Sequence, residues 1–152
     1  EQIFEHPMQP KTRAFIQRVR SCRSQLNHPH FDLYALQAEQ ERFCERHLLP
    51  HVARFNLSLF IEEVSMLLRP HLSTGGAYEY VTEYSETSRK LTVCIDIPQQ
   101  LALELSSPGE DKHLPVQLIG HACAHMEFLP QGDLVRLQAE IRQSAVPDHK
   151  PM

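Results

Sequence analysis

The chain has 152 residues, of which 41% are hydrophobic and 22% are charged, and its formal net charge is −4. This length fits one ordinary domain, or a small domain with a helical extension. An acidic chain does not have the basic surplus of a nucleic-acid-binding domain, and no apolar run approaches the roughly 18 residues that a membrane span needs. We therefore expect no nucleic-acid partner and no insertion of this segment into a membrane.

The cysteines are scattered and have no CxxC spacing; they are Cys22, Cys44, Cys94 and Cys123. This pattern favours free thiols in a reducing compartment over a disulfide pair. The chain starts at Glu1 and not at Met, and we expect it to be part of a longer protein. The expected location is cytoplasmic, either free or as the cytoplasmic part of an inner-membrane protein.

The first part of the chain, residues 1–53, is predicted to form a helical hairpin. A helix from Lys11 carries the apolar stripe Phe15, Val19, Cys22 and Leu26, and Asn27-His-Pro-His30 ends it. The second helix runs from about Asp32 to Leu48, with Leu33, Leu36, Phe43 and Leu48 facing inward. Two helices cannot cover both stripes. We therefore expect a homodimer with a four-helix bundle, and the alternative is that the hairpin folds back on the rest of the chain.

A third helix is predicted from Phe55–Ser58 to Pro70, on the pattern of Phe60, Ile61, Val64, Leu67 and Leu68. The alternation of Tyr78–Tyr84 and Leu91–Ile97 predicts a β-hairpin, with Ile95 in the core and Asp96 on the opposite face. Leu101–Leu105 is typical of a further short strand.

The last part of the chain is predicted to be a helix, a turn and a strand. Leu114, Leu118, Ala122 and Met126 recur every four residues behind a potential N-cap at Asp111. Pro130–Asp133 indicates the turn. From Leu134 onward, apolar and polar residues alternate as in a half-buried strand.

This order, with MEFLPQGDLVRLQAEI inside it, resembles the first half of a histidine-kinase ATP-binding domain, the GHKL fold. The segment FNLSLFIEEVSMLLRPHL is similar to the entry into such a domain. The resemblance implies an α+β protein with a dimerisation-like helical hairpin over 1–53. A truncated GHKL-like α/β sandwich, a mixed sheet covered by helices, would follow over 54–143, and a polar tail over 144–152.

The kinase family's nucleotide-binding asparagines fall on Gly120 and Ala124 when the motif is anchored on Phe128. Neither residue can coordinate Mg²⁺ or hydrogen-bond a nucleotide. The chain also has no GxG sequence for close approach to phosphate. We expect no nucleotide, no other cofactor and no kinase activity.

The implied function is that of a non-catalytic signalling module in a two-component or phosphorelay pathway, acting by dimerisation and by docking of a response-regulator receiver domain or another sensor partner. The basic residues Arg13, Arg18, Arg20 and Arg23 are candidates for contacting an acidic partner surface. The alternative is that they form a solvated helix face.

Two other functions are compatible with the sequence. In the first, His6, close to Pro7, accepts and relays a phosphoryl group as in a histidine phosphotransferase. In the second, His121 and His125 share a metal ion, because residues four apart lie on the same face of a helix. Each histidine has the simpler interpretation of a solvent-facing side chain.

Overall fold

The computed structural model describes residues 19–107 and 113–144, which form four helices and one five-stranded sheet. In chain order the elements are β1 (Val19–Leu26), α1 (Leu33–Arg46), α2 (His51–Ser73), β2 (Tyr78–Ser85), β3 (Lys90–Pro98), α3 (Gln99–Ser106), α4 (Leu114–Ala122), β4 (Cys123–Gln131) and β5 (Leu134–Ile141). No helix in these two ranges is long and apolar enough to cross a membrane.

The sheet is antiparallel throughout and has the strand order β1-β2-β3-β5-β4. The hairpins β2–β3 and β4–β5 lie side by side through the pairing of β3 with β5, and β1 and β4 are the edge strands. Alternate residues of β3 and β5 are buried, from Leu91 to Ile97 and from Leu137 to Ile141. The helices therefore cover one face of the sheet, and the other face, called the open face below, is free of helices in the described residues.

Helix α2 is the central element of the helical layer and packs against both α1 and α4. Its sheet-facing side includes Leu57, Phe60, Ile61, Val64 and Leu68, each at most 1% exposed. Pro50 is the N-cap residue, and Pro70 lies in the last turn. The ring of Pro70 removes the N–H that would bond the carbonyl of Met66, and the helix nevertheless continues to Ser73.

Several predicted elements are confirmed. The protein is α+β, α1 follows Asp32, and the predicted β-hairpin is β2–β3. The sheet, however, is antiparallel throughout and not the mixed sheet that the kinase resemblance implied. The side chain of Asp32 caps α1 by accepting a hydrogen bond of 3.1 Å from the backbone N–H of Ala35. Ile95 is 2% exposed and Asp96 lies on the open face, so the predicted register of β3 is correct.

The predicted first helix is wrong in its described part, because Val19–Leu26 is a strand that pairs with β2 over all of its residues. Ser24 and Leu26 are buried while Arg23 and Gln25 are exposed, which is the period of two of a strand. Apolar residues at positions 22 and 26 fit the period of a helix as well as that of a strand. The long-range pairing with β2 determines that this segment is a strand. A helical hairpin is therefore absent from residues 19–53.

This correction removes the reason for the predicted four-helix dimer. Leu36 and Phe43 of α1 are buried in the core of the same chain, together with Leu26 of β1. For these residues the structure agrees with the alternative prediction, in which the apolar side chains pack in the core of one chain and not in a dimer. Strand β1 also joins the same sheet as the strands that follow residue 54.

Three other elements differ from prediction. The last helix ends at Ala122, and Cys123–Gln131 is strand β4, so Met126 lies in the sheet and not on a helix. Residues Gln99–Ser106 form helix α3, in place of the short strand predicted at Leu101–Leu105. The third predicted helix begins at His51, earlier than the expected Phe55.

Candidate functional site

The open face of the sheet contains a groove of about 510 Å³, which crosses four neighbouring strands. We call it the sheet groove. Its polar and apolar lining comes from β1 (Arg23, Gln25), β2 (Glu79, Val81, Glu83), β3 (Cys94, Asp96) and β5 (Leu134, Arg136).

Strand register determines which side chains meet in the sheet groove. Arg23 lies opposite Val81, and Val81 lies opposite Cys94, so these three residues form one row across β1, β2 and β3. Val81 and Cys94 are half-buried although none of the four described helices covers them. Neighbouring side chains on the same sheet face shelter them, and Val81, Cys94 and Leu134 are the less polar members of the groove lining.

Two ion pairs hold four of the five charged side chains of the sheet groove. The guanidinium of Arg136 donates to both carboxylate oxygens of Asp96, at 2.8 Å and 3.2 Å. Arg23 donates to Glu79 at 3.2 Å, and the side-chain amide of Gln25 donates to the other oxygen of Glu79 at 3.3 Å. All four charged side chains are substantially exposed, so each pair contributes little to stability, about 0–1 kcal/mol, and mainly orients its members.

The sheet groove has more negative than positive charge. Its lining includes three carboxylates, Glu79, Glu83 and Asp96, against the two guanidinium groups of Arg23 and Arg136. Glu83 is exposed and has no ion-pair partner among residues 19–107 and 113–144. The free carboxylate gives the groove a preference for cationic ligand groups.

The thiol of Cys94 is the nucleophile candidate in the sheet groove, and its surroundings keep it protonated. Burial raises its pKa, and the nearby Glu83 carboxylate raises it further. Since the thiolate is the reactive form, a raised pKa makes this cysteine a poor nucleophile at neutral pH. Its side chain lines the groove.

The predicted basic cluster is only partly described. Arg20 and Arg23 lie on β1, where Arg20 is 3.5 Å from Glu86 and Arg23 is 3.2 Å from Glu79. Their pairing reduces the charge that they could offer to an acidic partner. Arg13 and Arg18 lie outside the described residues, and so does the phosphoacceptor candidate His6.

The predicted metal ligands do not share a helix face. His121 lies in the last turn of α4, whereas His125 lies on β4 beyond the end of the helix. The ring nitrogen Nε2 of His125 is 3.2 Å from a carboxylate oxygen of Glu127. The helical spacing that suggested a shared metal ion is therefore wrong.

The two positions that correspond to the kinase family's nucleotide-binding asparagines also lie on different elements. Gly120 belongs to α4 and Ala124 to β4, and Phe128, which anchored the motif, is also on β4. In the expected arrangement both positions would lie on one helix. The local structure behind that part of the kinase resemblance is thus different.

Sequence reasoning missed the sheet groove as a site. The alternation of polar residues along β2, β3 and β5 did indicate a solvent-facing side, and opposite charges at Asp96 and Arg136 were a possible signal. What the pattern does not contain is the order of the strands, which brings residues 40 positions apart into contact.

No protein-family model matches this chain, and no curated protein matches it with significant similarity. Its function must therefore be inferred from the chemistry of its surfaces.

Proposed function

We propose that this chain is a protein-interaction module without catalytic activity, and that it binds a segment of a partner protein in the sheet groove. The observation that carries the proposal is the row of half-buried Val81 and Cys94, bordered by the ion pairs of Arg23 and Arg136 on a face that no described helix covers.

The composition of the sheet groove supports a protein ligand. An apolar centre with a polar, solvent-accessible rim is the usual arrangement of a protein-binding surface. Val81 and Leu134 would contact apolar side chains of the partner, and the rim would contact its polar groups. The unpaired Glu83 favours a partner segment that carries lysine or arginine.

The state of the titratable groups supports binding over catalysis. The carboxylates of Glu79 and Asp96 already accept hydrogen bonds from arginines, and the thiol of Cys94 is held neutral by burial and by Glu83. A general base or a nucleophile needs a reactive protonation state near neutral pH. This set of groups offers hydrogen bonds and charge, which are recognition features.

The narrower hypothesis of a kinase-like signalling module stays a prediction. So do the homodimer, the receiver-domain partner and the relay through His6. An acidic receiver surface matches poorly with the carboxylate surplus of the sheet groove and with the paired Arg20 and Arg23. If such a partner binds, its contact surface is expected to lie elsewhere on the molecule.

Site-specific photo-crosslinking tests the proposal in the full chain. Val81 is replaced by the photoreactive p-benzoylphenylalanine in cells that express the protein, and the crosslinked protein is identified by mass spectrometry. The matched control carries the same group at Leu103, which is 67% exposed on α3 in the helical layer. We expect a specific partner at position 81 and not at position 103.

Calorimetry with the purified partner gives the quantitative test. Val81→Glu introduces a carboxylate into the apolar row and should weaken binding by about tenfold or more, because a charge without a partner is costly to desolvate. Leu103→Glu should leave the affinity unchanged. Equal affinities for Val81→Glu and the parent chain would show that the sheet groove is not the binding site.

A further inference from the structure

Strand β4 is an edge strand with few of the usual protections against pairing. It pairs with β5 on one side, and no strand in the described part of the chain pairs with its other side. Natural proteins protect such edges with lysines, prolines and bulges. The edge strand β1 carries Arg20 and Arg23, whereas β4 has no lysine or arginine. Its protections lie only at its ends, as Pro130 and as a bulge between Cys123 and His125, so the stretch between them is open to pairing.

The turn after β4 determines which backbone groups point outward. Gly132 and Asp133 form a two-residue hairpin loop, and Gly132 has a φ of +64° while that of Asp133 is not positive, as in a type II′ turn. The residues that flank such a loop, Gln131 and Leu134, form a hydrogen-bonded pair, and hydrogen-bonded and non-hydrogen-bonded pairs then alternate along the strands. Between the bulge and the turn, the even-numbered residues of β4 therefore direct their backbone groups away from β5.

The position of Pro130 agrees with this assignment. Proline has no N–H, so it fits a strand only where no ladder hydrogen bond is required of it. Pro130 lies opposite Val135, in a pair whose backbone groups point away from each other. The outward groups of Met126 and Phe128 remain, and the side chains of these two residues are half-buried against the core. A strand added at this edge would gain both backbone hydrogen bonds and apolar contact.

The exposed side chains of β4 are complementary to those of a second copy. His125 and Glu127 lie on the open face on either side of Met126, with side chains 61% and 55% exposed. If a second β4 pairs antiparallel with Met126 opposite Met126, His125 of each chain lies opposite Glu127 of the other. These are non-hydrogen-bonded positions, where Cα atoms are about 4.5 Å apart. The imidazole N–H can then donate to the carboxylate of the other chain, as it can now within one chain at 3.2 Å.

The neighbouring registers do not have this complementarity. With Glu127 at the twofold axis two carboxylates face each other, and with His125 at the axis two imidazoles do. With Phe128 at the axis, Glu127 lies opposite the apolar Leu129. Among these four registers, only the one centred on Met126 places a histidine nitrogen opposite a carboxylate. A strand edge accepts many partners, and this self-complementarity favours a second copy of the chain.

We propose that two copies of this chain associate through β4, antiparallel and centred on Met126, and form one continuous sheet of ten strands, five from each copy. The contact is independent of partner binding in the sheet groove, whose lining includes no residue of β4. The paired stretch is short and buries less than the roughly 1,200 Å² of a stable interface, so we expect a reversible dimer with a Kd on the order of 10–100 µM.

Two charge variants test the partner and the register together. The first combines His125→Lys with Glu127→Lys, and the second is His125→Glu; both change exposed side chains, so the fold should be retained. Each variant alone places like charges opposite each other and should dimerise at least tenfold more weakly than the parent chain. Their equimolar mixture should form a heterodimer, because each lysine then faces a glutamate. Sedimentation velocity between about 10 µM and about 0.5 mM measures all three samples.

Amide hydrogen exchange locates the contact in the parent chain. The outward amide of Met126 should become protected as the protein concentration rises, whereas the amide of Leu129, which bonds to β5, should be protected at every concentration. The control variant Gln131→Lys, an exposed charge change on β4 beyond Pro130, should dimerise like the parent chain. A parent chain that stays monomeric, a dimer that leaves the Met126 amide unprotected, or a mixture of charge variants that forms no heterodimer would overturn the proposal.

Discussion

The hydroxyl of Thr82 on β2 donates a hydrogen bond of 2.7 Å to the side-chain oxygen of Gln40 on α1, inside the core. The amide nitrogen of Gln40 donates in turn to the hydroxyl of Ser24 on β1, at 2.9 Å, and Ser24 donates to Glu39 at 2.8 Å. One side chain of α1 thus joins the first two strands. Because Gln40 is 1% exposed, water cannot replace these bonds.

Replacing this glutamine should be costly. Gln40→Leu leaves the hydroxyl of Thr82 buried without its acceptor, and we expect the free energy of unfolding to fall by about 2–3 kcal/mol. Urea denaturation followed by circular dichroism measures the change. The control is Gln37→Leu on the same helix, whose amide bonds Ser58 in a half-buried position and should matter by less than about 1 kcal/mol. An equal loss of unfolding free energy in the two variants would mean that the buried hydrogen bonds of Gln40 stabilise the protein no more than the half-buried ones of Gln37.

Neighbouring residues of β3 should respond very differently to substitution. Ile95→Asp buries an unpaired carboxylate at a position that is 2% exposed, which costs several kcal/mol, and the variant should unfold. Asp96→Ala removes a partly exposed pair with Arg136 and should change stability by about 1 kcal/mol or less. Thermal unfolding of both variants distinguishes the two positions. Similar effects would indicate that the strand register is shifted by one residue.

Two glycines offer a matched test of backbone conformation, since neither has any atom within 4 Å of an added Cβ. Gly132, in the β4–β5 turn, has a φ of +64°, and Gly132→Ala should destabilise the protein by about 1 kcal/mol. Gly120 is helical, so Gly120→Ala should stabilise the protein by about 0.5–1 kcal/mol. Denaturation midpoints of both variants measure the signs. A stabilising alanine at position 132 would exclude the left-handed turn.

The buried thiols should make stability fall at alkaline pH. Burial raises the pKa of Cys44 and of Cys123 from 9.0 to about 12, so between these values the unfolded chain loses protons that the folded chain keeps. The unfolding free energy should therefore decrease above about pH 9, by up to about 1.4 kcal/mol per pH unit for each thiol. Burial raises the pKa of Tyr80 as well, and this phenol acts in the same direction.

Urea denaturation at several pH values between 8 and 11 measures this slope. Cys44→Ala combined with Cys123→Ala should make the pH dependence shallower, even though the cavities lower the stability at every pH. Tyr80 leaves a residual slope in that variant. An unchanged slope would mean that the two thiols ionise equally in the folded and unfolded chains.

Local patterns in the sequence predicted the central elements of this fold. The alternation in Leu91–Ile97 and from Leu134 onward predicted β3 and β5, because a sheet covered on one side imposes a period of two. The same type of reasoning failed at Val19–Leu26, where Cys22 and Leu26 fit both periods and only pairing with β2 decides. It also failed at Leu48, which follows the end of α1, has a φ of 56° and points to solvent.

The candidate site was harder to predict than the fold. Each residue of the sheet groove is an ordinary polar or aliphatic residue of an amphipathic strand, and nothing local distinguishes Val81 from other alternate positions. The site arises from strand order, which places Arg23 beside Glu79 and Arg136 beside Asp96. Strand order depends on tertiary packing, and local patterns in a single sequence do not predict it.

The order of strands also has a consequence for how the chain folds. The β2–β3 and β4–β5 hairpins close over short turns and can form within microseconds. Joining them through Arg136 and Asp96 closes a loop of 40 residues, and adding β1 brings Arg23 to Glu79, 56 residues away. Closing these loops costs conformational entropy before the long-range contacts form. We therefore expect assembly of the sheet to limit the folding rate, and folding to be slower than that of a helical protein of the same length. Before β1 pairs with β2, the backbone N–H and C=O groups on that edge of β2 have no partner and can pair with a strand of another chain.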